Sequence, residues 1–495
     1  MKEYFLEIFR VNPKEINELY GIRAIGCYIV IAYHCFVNGL GFMPSSFRDY
    51  HSAFQNFEFL MDLFFVISSF LVSYAFSNEL KRLKFLSAWK NFFIKRSLRI
   101  FPPLYLLISF SIIIMGLTLQ AAKQGANLGV MTSGLGKLEA ELGNWWVDVF
   151  YISNYFPTRM LIHGWSLSME EQFYIAMPLF FLFYTTFFKH TRSKFLFLLG
   201  FLILPIVIRI YYYYNIPMDT NEIYVQKIFH PIHTHFDSFI AGIMIMEIFR
   251  LHRDAKLTLN FKKWFYLLFI PATFLLLYSF TFEYESMKFY QTVFRISEFT
   301  LFSFLLVLGT VLGYFSFFKT FLTNLIIVSV GKLSYGIYLV HLYVSGFVMI
   351  KVYSYTDIQS NDSMSVFISS IYTLGISTIL ALFSYYFVEK PFLKIREWSQ
   401  PKFNVQTQSF YRLAINLSEI KIVSWILTAI SFLPFYLLKQ FIKIGFVEKS
   451  FVSSTILFLL IALPILLNLY TLITKRSLFF IWFLQQKFKE IGKLS

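Results

Sequence analysis

Apolar stretches bounded by charged or turn residues recur along the chain at 20–41, 57–77, 100–119, 172–188, 195–214, 233–249, 264–281, 296–317, 333–351, 365–387, 422–441 and 453–474. Each is close to the roughly 20 residues that one helix needs to cross a hydrocarbon core. The pattern predicts an all-α polytopic integral membrane helical bundle with twelve candidate spans, two of them near the C-terminus. Residues 145–156 are aromatic but too short to cross, so the long loop 120–171 is expected to carry an interfacial or re-entrant piece there. Glycines in 120–143 make the rest of that loop a flexible lid or linker.

Composition agrees with the pattern. Of 495 residues, 57% are hydrophobic and 15% charged, which excludes an ordinary soluble enzyme. The net charge of +16 would suggest nucleic acid in a soluble chain; here it reads as cytoplasmic loops, and no nucleic-acid partner is expected. With the N-terminus inside, the inner segments hold about 31 of the 44 Lys and Arg and the outer loops about 11, so both termini are predicted to be cytoplasmic. No small-residue cleavage site follows the first apolar run, which therefore reads as a retained helix. Tyr4, Phe5, Ile8 and Phe9, and the tail around Phe479–Leu484, read either as surface-lying helices or as frayed ends. Cys27 and Cys35 lie about 12 Å apart along one helix, too far for a disulfide.

Ionisable groups inside a membrane are the default candidates for function. Arg23 and His34 are 11 residues apart on the first span, within about 20° of one helix face and about 16 Å apart in depth. Asp62 on the returning second span is expected near the depth of His34, so an Asp–His pair becomes possible, as does a plain helix–helix contact. Glu170, Glu171, Arg209 and Asp237 populate the outer ends of later spans. At the inner end Arg96 and Arg99 share a face just before Pro102 and Pro103 and, with Arg23, form a cationic mouth suited to phosphates; a positive-inside anchor would show the same residues. His230, His233 and His235 lack a completing Cys or carboxylate, so no metal is expected.

The ordered fragments RAIGCYIVIAYH, DLFFVISSFL, RSLRIFPP, WSLSMEEQFY, FDSFIAG, GKLSYGIYLVH and YYFVEKPF resemble the acyltransferase family 3 membrane proteins, over about residues 17–396. That resemblance implies a membrane acyltransferase domain with a ten-helix core at 19–396, which leaves the predicted cytoplasmic N-terminal segment at 1–18 before it and an extension at 397–495, with the last two predicted helices and a basic tail, after it. It implies His34 as the catalytic histidine with Arg23 its motif partner, and Arg96 and Arg99 as the paired arginines linked to acyl-donor use. Glu170 matches the glutamate of the Trp-Ser-Leu-x-x-Glu pattern, with Tyr174 following. Ser334, Tyr335, Tyr338 and His341 match a late Ser-Tyr-x-x-Tyr-Leu-x-His motif, and Glu389 with Pro391 closes the core. Ser69 stands where the family usually has glycine, and His235 where an arginine commonly precedes the aspartate matched by Asp237.

The expected activity is transfer of an acyl group, acetyl in the simplest case, from cytoplasmic acyl-CoA to a hydroxyl of an extracytoplasmic glycan or other envelope acceptor, across the cytoplasmic membrane. Acyl-CoA would be a co-substrate and no cofactor would stay bound. His34 would act as general base aided by Asp62 or Glu170, or would itself be acylated. Arg23, Arg96 and Arg99 would hold the donor, while Arg209, Asp237, Tyr174, Ser334, Tyr338 and His341 would serve the acceptor side or the scaffold. The same buried charges would also suit a transporter or flippase for a glycan or lipid-linked precursor, or a non-catalytic assembly factor.

Overall fold

A computed structural model describes residues 7–13, 15–39, 56–124, 135–257, 260–280, 287–355 and 362–393. Among them all regular structure is helical, with no strand. A helix lies at each of the first ten predicted spans: α1 (Asn17–Gly39), α2 (Met61–Leu80), α3 (Phe85–Lys123), α4 (Gly164–Phe187), α5 (Thr191–Asn215), α6 (Asp237–Arg253), α7 (Phe261–Ser279), α8 (Arg295–Val311), then α10 (Ser334–Tyr355) and α11 (Asp362–Ser384), with the short α9 (Leu325–Lys332) before α10. The spans expected at 422–441 and 453–474 lie outside the described residues.

Six helices are long and apolar enough to cross a membrane, and up to eight spans result if two bent pairs are each one span. The chain is an all-α polytopic membrane protein. α4 and α6 fall outside that set because Ser166, Ser168, Glu170, Glu171 and Gln172 dilute the apolar character of one and the other has 17 residues. Polar residues inside a bundle are tolerated where neighbouring helices supply partners.

Of the described residues, those up to 107 and from 144 onward belong to one compact unit, and those within 108–143 to a second. In the first, α6 lies along α2, α8 packs on both, and α1 is embraced by α9, α10 and α11. The packing is close. An added Cβ at Gly331 of α9 would stand 1.9 Å from the Tyr20 carbonyl oxygen of α1, and one at Gly21 would meet the Leu322 carbonyl at 2.3 Å. Only residues without a side chain let these backbones touch. In the second unit, the end of α3 is tied to the helix Leu135–Gly143 by Lys123 Nζ and Glu139, 2.9 Å apart.

Three features differ from the sequence expectation. The helix predicted from residue 100 begins at Phe85 and runs through Pro102 and Pro103. Proline removes backbone donors inside a helix, here those that would bond the Leu98 and Arg99 carbonyls, and the neighbouring Ile100 carbonyl accepts from the Tyr335 hydroxyl at 2.7 Å. The span predicted at 333–351 is preceded by a sharp bend, α9 and α10 meeting at 76°. Ile8 is 3% exposed within a cluster containing Ile31, Phe36 and Leu333 rather than lying at a surface; Phe9 is exposed. The short aromatic piece at 145–156 forms a helix of five residues, Trp145–Val149, and a 3-10 turn at Ser153–Tyr155, with Trp145, Val147, Asp148, Ser153 and Asn154 buried.

Candidate active site

Three helices each carry a row of polar residues on one face. On α1 the row is Arg23, Cys27 and His34; on α10 it is Ser334, Tyr338 and His341; leading into and along α4 it is His163, Ser166 and Glu170. The spacings of three, four, seven and eleven keep each row on one side of its helix. The rows meet at both ends, with α1 and α10 running the same way and α4 the opposite way.

At one end Arg23 Nε donates to Ser334 Oγ at 3.0 Å, and the Cys27 thiol lies 3.6 Å from the Ser334 carbonyl oxygen. Arg96 stacks its guanidinium 5.3 Å above the Tyr174 ring, a cation–π contact. The Tyr174 hydroxyl and Ser68 Oγ share a hydrogen bond. Glu170 lies beside both and faces the charges of Arg23 and Arg96. Arg99 faces Arg23, Arg96 and the buried Glu389. Three guanidinium groups and two carboxylates are thus gathered from α1, α3, α4 and the turn after α11.

From this cluster a cavity of about 40 Å³ leads along the rows, lined by Arg23, Glu170 and Ser334 and then by Phe65, Ser166 and Tyr338. It has room for about three waters. Ser166 Oγ and the Tyr338 hydroxyl are 2.5 Å apart, and Ser166 also donates to the His163 carbonyl at 3.1 Å.

At the far end stand three imidazoles. The rings of His34 and His341 are 5.0 Å apart and those of His163 and His341 5.6 Å. His341 Nδ1 donates to the Tyr338 carbonyl at 2.5 Å, which fixes its proton there and leaves Nε2 as an acceptor.

The structure brings Arg23, Arg96, Arg99, Glu170, Tyr174 and Ser334 to one end, joins them through Tyr338 to His34 and His341, and leaves three expected residues elsewhere. Asp62 does not pair with His34. Its Oδ1 accepts from His235 Nε2 at 2.9 Å and from Thr300 Oγ1 at 3.2 Å, with both members of the ion pair fully buried. Depth along two antiparallel helices was readable from sequence; the direction in which α2 turns Asp62 was not. Arg209 and Asp237 form another buried pair, Nη2 to Oδ2 at 3.0 Å, with Ser297 donating to the same oxygen at 2.7 Å and Arg209 Nη1 donating to the Thr234 carbonyl at 3.0 Å.

Glu170 was expected beside His34 because the fourth span was placed from residue 172. The helix begins at Gly164, which carries Glu170 six residues, about 9 Å, further in and to the arginines. His230, His233 and His235 diverge to Arg159, to Tyr155 and Tyr212, and to Asp62. Among the described residues no three ligating side chains gather as a metal site. Both cysteines are free and buried. Sequence reading missed His163 and Ser166, although their spacing of seven and four residues before Glu170 already put them on its face.

A family model described as an acyltransferase domain matches residues 16–382, so the chain belongs to that family of membrane proteins. A protein of Staphylococcus aureus (strain COL) provisionally named an O-acetyltransferase is 27% identical over 416 residues, covering 81% of this chain and 61% of that protein. O-acetyltransferase OatA of the same strain is 25% identical over 401 residues, covering 77% of this chain and 58% of its own length. The chain thus spans about 60% of the curated relatives it matches. No solved structure matches it.

Proposed function

We propose that the protein is a membrane O-acyltransferase that moves an acyl group, acetyl in the simplest case, from cytoplasmic acyl-CoA to a hydroxyl of an extracytoplasmic glycan or other envelope acceptor. The observation that carries the reading is the three-helix row with guanidinium groups at one end and imidazoles at the other, in a chain of the acyltransferase family. Phosphates suit arginine forks, and a hydroxyl needs a base before it is a competent nucleophile. The about 16 Å between Arg23 and His34 along α1 suits a donor whose charged end and reactive end are separated by a long, thin arm.

In this reading Arg23, Arg96 and Arg99 hold the CoA phosphates, with Glu170 and Ser334 fixing Arg23 and Tyr174 fixing Arg96. His34 accepts the proton of the acceptor hydroxyl as its oxygen attacks the thioester carbonyl. The new C–O bond forms, the C–S bond breaks, and the proton passes from His34 to the thiolate, releasing CoA as its thiol. No cofactor is needed beyond the acyl-CoA co-substrate. The setting is the cytoplasmic membrane with both termini inside, following the excess of Lys and Arg in alternate loops.

The test supplies labelled acetyl-CoA to the cytoplasmic face of membranes that contain the protein and its native envelope glycans, and measures alkali-labile label on glycan. Transfer by the wild-type chain that disappears in His34→Ala is the expected result. Glycan movement without label transfer would instead favour a transporter.

A further inference from the structure

The imidazole cluster holds more hydrogen-bonding capacity than its surroundings satisfy. His341 Nε2 and both ring nitrogens of His163 have no hydrogen-bond partner among the described residues, although His163 and His341 are 3% and 1% exposed. The Leu339 carbonyl lies near the His163 ring without meeting hydrogen-bond geometry. A buried polar atom left unpaired is unfavourable, and such atoms mark places where water, ion or ligand belongs. Here they lie on His341, whose ring is 5.0 Å from His34, and on His163 beside it, and the reaction proposed above already occupies His34 with one hydroxyl.

We propose that His163 and His341 bind a second hydroxyl of the acceptor, next to the one that His34 deprotonates, so that the acceptor is a polyol with hydroxyls on adjacent carbons. The inference rests on the acyltransfer reading and specifies its substrate class. The hydrogen-bond chemistry matches. His341 Nε2 can only accept, because Nδ1 carries the proton toward the Tyr338 carbonyl. A hydroxyl donates to it and keeps its lone pairs for a donor, so it serves His163 in either tautomer. An ammonium could not accept from His163, and a carboxylate could not donate to His341.

The geometry matches as well. His341 stands between the other two rings, 5.0 Å from His34 and 5.6 Å from His163. Two oxygens separated by about one hydrogen-bond length, as on neighbouring ring carbons of a sugar, can therefore face His34 and the His341–His163 pair together. Ser166 and Tyr338 bond to each other and to the His163 carbonyl, which holds the backbone beneath His163 in place and leaves its ring free to serve the ligand.

The test uses the full chain in membrane vesicles with labelled acetyl-CoA, offering cis-cyclohexane-1,2-diol or cyclohexanol as acceptor. The wild-type chain is expected to favour the diol by roughly tenfold, the worth of one or two hydrogen bonds. His163→Ala should lower transfer to the diol alone and abolish the preference, and His163→Gln, which retains a donor and an acceptor, should restore most of it. Equal wild-type rates on the two alcohols, or a proportional fall on both in His163→Ala, overturns the inference. So does failure of both alcohols while label still reaches native glycan in a His34-dependent way. Failure with the glycan too overturns the acyltransfer reading itself.

Discussion

The residues of the site divide into those that would touch substrate and those that only hold others, and substitutions should separate the two. His34→Ala is expected to lower transfer by about 10²–10⁴-fold, the usual worth of a positioned base, with thermal unfolding in detergent unchanged. Arg96→Lys keeps the charge but loses both the planar fork and the stacking on Tyr174. It should raise the KM for acetyl-CoA several-fold and leave the acceptor KM alone, as read from steady-state rates at varied donor. Asp62→Ala belongs to the second class. It strands the fully buried His235, and removing one member of such a pair costs about 3–5 kcal/mol, so folded yield and melting temperature should fall, whereas His34→Ala leaves them intact. The sequence made His34 and Arg23 legible because a shared helix fixes both depth and azimuth. It left Asp62 misassigned because two helices fix only depth, and it hid His163 because the helix it precedes starts eight residues before the apolar run does.

At the scale of elements, the helices at the first ten predicted spans were readable because most carry a long apolar run and the polar residues of α4 and the shortness of α6 left enough of one, while the bend between α9 and α10 was not, since GKLSYG carries no proline. The bend serves the site: it starts α10 at Ser334, where Arg23 donates to Ser334 Oγ, while Gly331 lets α9 press on the backbone of Tyr20. Gly331→Ala should force these helices apart, costing at least about 1–3 kcal/mol as overpacking does, and should depress transfer further by moving Ser334 from Arg23; melting temperature and activity would fall together. A similar trade explains Ser69, which the family resemblance marks as a departure from glycine. Ser69 Oγ donates to the Phe239 carbonyl at 2.5 Å, and the room its side chain needs is left by Gly242 on α6.

The short piece between α3 and α4 supplies a pH dependence. Burial pushes the Asp148 carboxyl up to about 7, against the Leu161 N–H that favours its charged form. A carboxyl with a folded pKa above its unfolded value near 4 binds more protons when folded, so its contribution to stability is complete below about pH 4 and is lost as pH rises through 7. Hydrogen exchange in residues 145–163 should therefore be slower at pH 5 than at pH 8, after correction for intrinsic exchange rates. Asp148→Asn, which still accepts from Leu161, should remove most of that difference.

For the whole molecule, the alternation of charge along the chain and the polarity of the site make one joint demand. The segment 78–99, one of those with the Lys and Arg excess, itself holds Arg96 and Arg99 in the first half of α3, so in the proposed orientation the positive-inside rule also turns the arginine cluster to the cytoplasm. The imidazole cluster lies about 16 Å further along α1, at the end of the rows away from that proposed cytoplasmic mouth. Donor and acceptor should thus be productive from opposite sides only. In sealed inverted vesicles, acetyl-CoA added outside should label glycan held inside, whereas in right-side-out vesicles the same donor added outside should label nothing until the membrane is opened. Equal labelling in both orientations would mean that the rows do not run across the membrane in the sense the charges require, and Arg96→Lys would then no longer be expected to act on the donor alone.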